Sequence, residues 1–346
     1  MENNEKKSRR LPAEWEEQDG VLLAWPNEDS DWKPVLPLVE PVFAEIIAAV
    51  SRFERVILIA AENSAVKANL LNAGADLQKI TFVNLPLNDT WARDFGPITV
   101  FENAAPLLLD FGFNGWGLKF PAHHDNRVNQ LLAETGLFSC RNAIMPLVLE
   151  GGSLESDGAG TLMLTSACLL SPNRNPHLSR EQIESELKKQ LGAERFLWLN
   201  HGHLAGDDTD SHIDTLARLC PGDIILYAAC DDPADEHFAE LAAMKHELEG
   251  FRTRKNRPYR LVPLPFPASK QGLEGERIPA TYANFLIING AVLVPTYDDP
   301  GDAAALAAVT TAFPGREIIG INCNSIILQH GSLHCLTMQL PKGVLA

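Results

Sequence analysis

The chain has 346 residues, 45% hydrophobic and 21% charged, the size and balance of a soluble globular protein with one large domain or two ordinary ones. Its 45 acidic and 29 basic residues leave a formal net charge of −16, which argues against nucleic acid or an anionic membrane as a partner and favours small cations near the surface. The first ten residues are polar with no apolar segment behind them, and no apolar stretch is expected to span a bilayer. The six cysteines lack CxxC spacing and read as reduced thiols. A cytoplasmic location is expected.

Short runs rich in Val, Ile and Leu predict strands over residues 21–25, 55–61, 80–85, 97–101, 107–111, 161–167 and 196–199. Further strands are predicted over 224–228, 261–264, 285–294, 318–321 and 325–329. Their lengths and β-branched content favour strand over buried helix. Between them, helices are predicted over 42–53, 64–72, 126–135, 180–191, from Asp232 or Asp235 to Glu249, and over 302–312. Ser179 and Gln182 have the spacing of a capping box, and Gly192 supplies the stop.

This alternation is an α/β signature. Strand–helix–strand units recur at roughly 50–70 residues, starting near Gly20, Asp89, Glu150, Asp208 and Thr281. A cyclic arrangement of about five such units would bring their starting points together around one axis; a doubly wound sheet fits the alternation equally well. No Ser/Gly-rich linker interrupts the chain. Residues 1–346 are therefore read as one catalytic domain, with residues 1–10 as a flexible tail.

The residues that carry chemistry lie far apart in sequence. Cys335 stands in His330-Gly331-Ser332-Leu333-His334-Cys335. A lone cysteine in apolar company is usually a small buried hydrophobe. Here Gly331 permits an unusual backbone, and Ser332 and His334 make the neighbourhood polar, so Cys335 is the candidate nucleophile, needing a distant histidine that folding brings near. His212 and Asp214, two apart, would face one pocket if the segment is extended; helix capping by Asp210 or Ser211, or a solvated acidic loop, is the plainer alternative. Trp91-Ala92-Arg93-Asp94-Phe95-Gly96-Pro97 is either a turn with a structural ion pair or a cation site, with Asp94 accepting guanidinium N–H groups and Trp91 stacking. Trp116, between two glycines, is either a second wall or a surface aromatic. Glu150, before Gly151-Gly152, is either a strand end or a group that orients a histidine.

Neither His201-Gly202-His203 nor His123-His124 has further ligands at metal-site spacing, and no EF-hand, P-loop, GxGxxG or GxSxG pattern is present. No metal or organic cofactor is expected.

Taken in order, Trp-x-Arg-Asp-x-Gly-Pro around Asp94, Glu150-Gly-Gly, His212-x-Asp214 and the late His334-Cys335 resemble the agmatine deiminase family, itself related to the bacterial type of peptidylarginine deiminase. The opening residues 12–21 and Leu23-Ala24-Trp25-Pro26 are similar too, so the resemblance runs from about residue 11 to residue 340. It implies the guanidino-group-modifying fold, a pseudo-fivefold α/β-propeller of ββαβ-type modules, and hydrolysis of agmatine to N-carbamoylputrescine and ammonia in polyamine metabolism. By resemblance, Cys335 is the nucleophile and His212 the general acid/base. Asp94 and Asp214 hold the guanidinium, Glu150 engages the histidine, and Trp91 helps wall the site. A homodimer is a family-level expectation.

Two departures stand out. Many members have a run of glycines where this chain has Gln329-His330-Gly331-Ser332, and glycine is common where Ser211 stands. Both bear on the loop around the substrate's tail more than on its guanidinium. The rival readings are citrullination of peptide arginine, amidino transfer to an amine, and non-enzymatic binding of a polyamine or metal.

Overall fold

The computed structural model describes residues 9–346. Its strands form five mixed sheets of three or four strands and one two-stranded hairpin, Lys270–Gln271 with Arg277–Ile278. Each of the five sheets repeats one pattern: an antiparallel pair, a helical crossover, and a parallel partner beside the second strand.

In the second sheet Ile98–Glu102 runs antiparallel to Ala105–Gly112, which pairs in parallel with Arg141–Val148 after the helix Val128–Glu134. The third joins Glu155–Ser156, Thr161–Thr165 and Arg195–Leu199 around Arg180–Leu191. The fourth joins Ala217–Cys220, Ile224–Ala228 and Arg260–Leu264 around Phe238–Gly250. The fifth joins Leu286–Ile288, Ala291–Thr296 and Glu317–Asn322 around Asp302–Ala312. In the first sheet the antiparallel strand comes from the other end of the chain: Thr337–Pro341 pairs with Gln18–Ala24, which continues through Leu36–Ser51 to Arg55–Ile59 and Ile80–Val83. The strand that follows Cys335 thereby sits beside the strand that follows Glu14.

The middle strands read as unbroken apolar runs because they are covered on both faces. Val21, Leu22, Leu23 and Val56, Ile57, Leu58 are all fully buried. The helices 64–72, 180–191 and 302–312 form as expected, and Ser179 and Gln182 exchange both capping-box bonds.

Several expectations are corrected. Residues 285–294 are two strands, because Gly290 at φ 76° turns the chain between Ile288 and Ala291. Residues 325–329 are a 3-10 turn, Ile326–Gln329, seeded by the Cys323 carbonyl, which accepts from the Ile326 and Ile327 amides. Three apolar residues between Ser325 and Gln329 do not by themselves distinguish turn from strand. Arg9 and Arg10 pair with Glu102 and Phe101 as a short edge strand, so they are not part of a tail; residues 1–8 of that expected tail lie outside the described residues. The stretch Lys33–Ser51 is long and apolar enough, by length and composition alone, to cross a membrane. Half of that window is buried inside the fold, where Val39, Phe43, Ile46, Ile47 and Val50 pack into the core.

Candidate active site

Cys335 is 4% exposed and lies between two elements distant in sequence. Its carbonyl accepts the Arg93 amide at 3.1 Å, which ties it to the turn that carries Asp94. Its own amide and thiol both point at Asn284 Oδ1, at 3.3 and 3.4 Å, and its Sγ is 3.9 Å from Asp214 Oδ2. Burial, followed by the charges of Asp214 and Asp94, pushes the thiol well above the usual cysteine range.

The Asp94 turn is a single helical turn, Ala92–Phe95. Arg93 and Asp94 do not form the ion pair allowed for above: Arg93 points away, toward Gln339, with Glu14 at 3.8 Å. Asp94 Oδ1 accepts the Gly152 amide at 3.0 Å and lies 3.5 Å from His212 Nδ1. Its Oδ2 accepts from Trp116 Nε1 at 2.9 Å. Trp116 is not a surface aromatic. It is buried, held at φ 55° in the left-handed region that bulky residues avoid, and packed edge-on to Phe113 and Phe120.

His212 immediately precedes a 3-10 turn, Ile213–Thr215, that carries Asp214, so the two reach the site without sharing an extended segment. The turn is secured by Thr215 Oγ1, which donates to the His212 carbonyl at 2.8 Å. Neither Asp210 nor Ser211 caps it. Asp207 instead accepts the Thr209 and Ser211 amides, while Asp210 accepts from Arg174 and Lys119. His212 is completely buried, and neither ring nitrogen has a hydrogen-bond partner among the described residues. Asp94 at 3.5 Å and Glu150 at 3.7 Å are close enough for charge attraction. Burial alone would lower the imidazole pKa; the charge of Asp94, then Cys168 and Glu150, raises it well above the ordinary value.

Glu150 ends the Arg141–Val148 segment and is completely buried. Arg174 Nε donates to both of its oxygens, at 3.0 and 2.8 Å. Burial would raise this carboxyl, and His212 and Arg174 together hold it below the usual range. Gly152 must be glycine: a Cβ there would lie 2.6 Å from His212 Nδ1 and 2.8 Å from Asp94 Oδ1.

A cleft of about 170 Å³ opens onto Cys335 and Asp94. Trp91, Trp116 and Phe120 wall it, while Asp31, Asp89 and Asp208 line it with Gln329, His330 and Gly331; among the described residues no Lys or Arg does so. Gly331 lies against the Trp91 ring, where a Cβ would approach to 2.3 Å. Gln329 Nε2 donates to the Asp31 carbonyl, and His330 Nδ1 sits 2.8 Å from the Gly206 carbonyl. His330 and Ser211 both have left-handed backbones, at φ 64° and 63°, where glycine is the least strained residue.

All seven residues singled out from sequence thus meet around one buried pole or its cleft. Asn284, Arg174, Cys168, Gly152 and Glu14 were missed. Gly152 and Glu14 had a signal, since they stand in the Glu150-Gly-Gly and opening motifs, and Asn284 follows the predicted start of a unit near Thr281. Among the described residues, the group able to hold a metal is Glu150, Cys168 and His212, whose ligand atoms lie within 4.8 Å of one another. The histidine pairs are elsewhere: His123 stacks on His124, and His201 faces Glu240. In the metal-capable group Arg174 already neutralises Glu150, so the donor set fits an acid/base pair better than a cation site.

Comparison with known proteins gives a consistent picture. Residues 10–341 match the family model of the Porphyromonas-type peptidyl-arginine deiminases. The agmatine deiminase of Pseudomonas aeruginosa (strain LESB58) is 35% identical over 96% of this chain and 95% of its own. A crystal structure of a Porphyromonas gingivalis protein provisionally described as an arginine deiminase superposes with a TM-score of 0.92 at 48% identity, covering 98% of this chain and 100% of that one. A Cys-to-Ser variant of C. jejuni agmatine deiminase with substrate bound gives a TM-score of 0.91 at 38% identity, covering 98% of both chains.

Proposed function

The chain belongs to the Porphyromonas-type peptidyl-arginine deiminase family, and from that premise we propose that it is a hydrolase that converts agmatine to N-carbamoylputrescine and ammonia. Relatives bearing that activity in their names match it over nearly the full length. The observation that carries the substrate assignment is the cleft lining. Agmatine has a cation at each end. A cleft lined by Asp94, Asp31, Asp89 and Asp208 and, among the described residues, by no Lys or Arg suits two cations and offers nothing to an α-carboxylate.

The proposed roles follow from the geometry. Asp94 and Asp214 bind the N–H edges of the guanidinium and hold its carbon over Cys335 Sγ, between Trp91 and Trp116. The bound cation offsets the two carboxylates and lowers the thiol pKa, so the thiolate forms in the complex. The sulfur attacks the guanidinium carbon and a tetrahedral adduct results. Protonated His212, kept charged by Asp94 and Glu150, donates its proton to one terminal nitrogen, which leaves as ammonia with the C–N electron pair. The remaining S-linked thiouronium is attacked by water, whose proton passes to the now neutral His212. Collapse expels the Cys335 thiolate and leaves the urea oxygen in place of nitrogen. The second proton of the water is released as the urea C=O forms and is taken up by the ammonia, which leaves as ammonium and so balances the charge of the guanidinium consumed. These residues carry the chemistry by acid/base and nucleophilic means, with no cofactor in any step.

The repeated sheet pattern supports reading the fold as the pseudo-fivefold α/β-propeller of the guanidino-modifying enzymes, and the shared core supports a single catalytic domain. A cytoplasmic enzyme that binds neither nucleic acid nor membrane fits the acidic composition and reduced cysteines, and a homodimer is the expectation from the family resemblance alone.

The test is ammonia release measured side by side on agmatine, free arginine and an internal-arginine peptide. Agmatine is expected to give the highest kcat/KM; preference for the peptide, or no ammonia from agmatine, overturns the assignment. Amidino transfer to an added amine without a urea product would indicate the transferase chemistry instead. Cys335→Ser is expected to abolish turnover and keep the fold.

A further inference from the structure

The histidine beside the nucleophile and the glutamate of the opening motif belong to one buried chain of contacts. His334 is 1% exposed. Its Nδ1 lies 2.7 Å from Asp214 Oδ2, and its Nε2 lies 2.7 Å from Glu14 Oε2. The Nδ1 contact with ionised Asp214 is a hydrogen bond that Nδ1–H donates, while Nε2 also lies 3.2 Å from Arg218 Nη2. Glu14 is fixed in turn: its Oε1 accepts the Ile287 amide at 2.7 Å, and its Oε2 accepts from Arg218 Nη2 at 2.9 Å. Arg218 bonds Glu155 and the Phe285 carbonyl, and its guanidinium lies 4.4 Å over the Phe285 ring. At the other end, Asp214 Oδ2 is taken by His334, whereas Oδ1 has no hydrogen-bond partner among the described residues. The Asp214 carboxylate, fully buried and with its Oδ2 3.9 Å from Cys335 Sγ, thus keeps one oxygen able to accept a donor from a ligand.

From this geometry we propose that His334 is a positioning residue, which, anchored by Glu14, clamps one oxygen of Asp214 so that the other is presented to the substrate guanidinium. The proposal rests on the reading of Asp214 as a guanidinium-binding carboxylate and deepens it. It also gives a reason for the opening motif around Glu14, which the chemistry above leaves unexplained. The charged and titratable groups around the relay are Arg218 and Glu155 from the third and fourth sheets, Arg93 and Asp94 from the single helical turn, and His212 and Cys335 on either side. Burial would raise the Asp214 carboxyl; the hydrogen bond and charge of His334, then His212 and Arg218, hold it below the usual range. Removal of the His334 donor therefore makes Asp214 take up a proton at higher pH, and a protonated Asp214 binds a cation poorly.

Two conservative substitutions separate this role from simple packing. His334→Asn keeps an N–H donor at the place of Nδ1, facing Asp214, and His334→Gln keeps one at the place of Nε2, facing Glu14. For agmatine, His334→Gln is expected to raise KM at least roughly tenfold, with a much smaller change in kcat. It should also move the acid limb of kcat/KM to higher pH. His334→Asn is expected to keep KM within about threefold of the parent and leave the acid limb in place. Identical behaviour of the two variants, or an unmoved acid limb in His334→Gln, overturns the relay. Asp214→Asn, measured alongside, distinguishes the failures: if KM is unchanged there, the role of Asp214 falls; if it rises while His334→Gln is silent, only the relay falls. Should the variants fail to fold, NMR of the unsubstituted enzyme labelled with 15N-histidine gives the answer. Nδ1 of His334, assigned through its backbone amide, is expected to carry a hydrogen-bonded proton, and a bare Nδ1 overturns the proposal.

Discussion

Asp94 and Asp214 are the same residue type, equally buried, on either side of one thiol, yet their proton affinities move in opposite directions. Asp94 is held by two neutral donors, the Gly152 amide and the Trp116 indole, with His212 at 3.5 Å; burial raises its pKa, and the charge of Asp214 raises it further. Asp214 is held by His334 with Arg218 behind it, and its pKa is lowered despite the same burial. Neutral dipoles orient a buried carboxylate without fully offsetting the cost of its charge, whereas a bonded cation does offset it. The site thus pairs a firmly ionised acid with one whose charge depends on its neighbours, among them His212 and the arriving guanidinium.

The largest effects should come from erasing the contrast. Asp94→Asn and Asp214→Asn are each expected to lower kcat/KM for agmatine by roughly 10²–10⁴-fold, measured as initial ammonia release. An effect under tenfold for either would mean that the guanidinium is held elsewhere. Gly152→Ala pushes a methyl between His212 and Asp94, and about a 10²-fold loss of activity with a near-native melting temperature is expected. Next, Trp116→Phe removes one neutral donor from Asp94 and keeps the ring. About a tenfold loss, mainly in KM, is expected; if the loss matches that of Asp94→Asn, the indole does more than orient.

The pH profile probes both acids at once. Cys335 and His212 both have raised pKa values. Activity needs the thiol to lose its proton and the imidazole to keep its own, so kcat/KM for agmatine is expected to rise through neutrality and reach its maximum on the alkaline side. A maximum below pH 7 would contradict these electrostatics.

The smallest effect concerns Glu54, a buried carboxylate away from the site that, like Asp94, has only a neutral donor bonded to it, the Asn289 amide at 2.9 Å. Burial raises its pKa from 4.5 to about 7. The folded protein therefore holds this proton more tightly than the unfolded chain, and stability falls as pH rises from about 4.5 to about 7. Glu54→Gln is expected to raise the melting temperature at pH 8, by an amount that reflects on the order of 3 kcal/mol or less, and to have little effect near pH 4.5. Equal effects at both pH values would show that neutral donors suffice to hold a buried charge.

The local pattern determined much of this protein. Apolar runs marked most middle strands, because a strand covered on both faces has no polar side to show. Ser179, Gln182 and Gly192 bounded a helix through capping chemistry that acts within a few residues. Cys335, His212, Asp94, Asp214 and Glu150 were legible because each carries a reactive group inside a short motif with constrained backbone around it. The runs at 285–294 and 325–329 failed for the converse reason: hydrophobicity specifies burial, and a turn made by Gly290 or by the Cys323 carbonyl buries the same residues. What only the tertiary structure decided was the partners. That Trp116 bonds Asp94, that Arg174 neutralises Glu150, and that Glu14 reaches His334 across 320 positions of chain depend on sheets meeting at one pole. A side chain's type is written in the sequence. Its charge and direction are set by groups that only the fold brings within hydrogen-bonding distance.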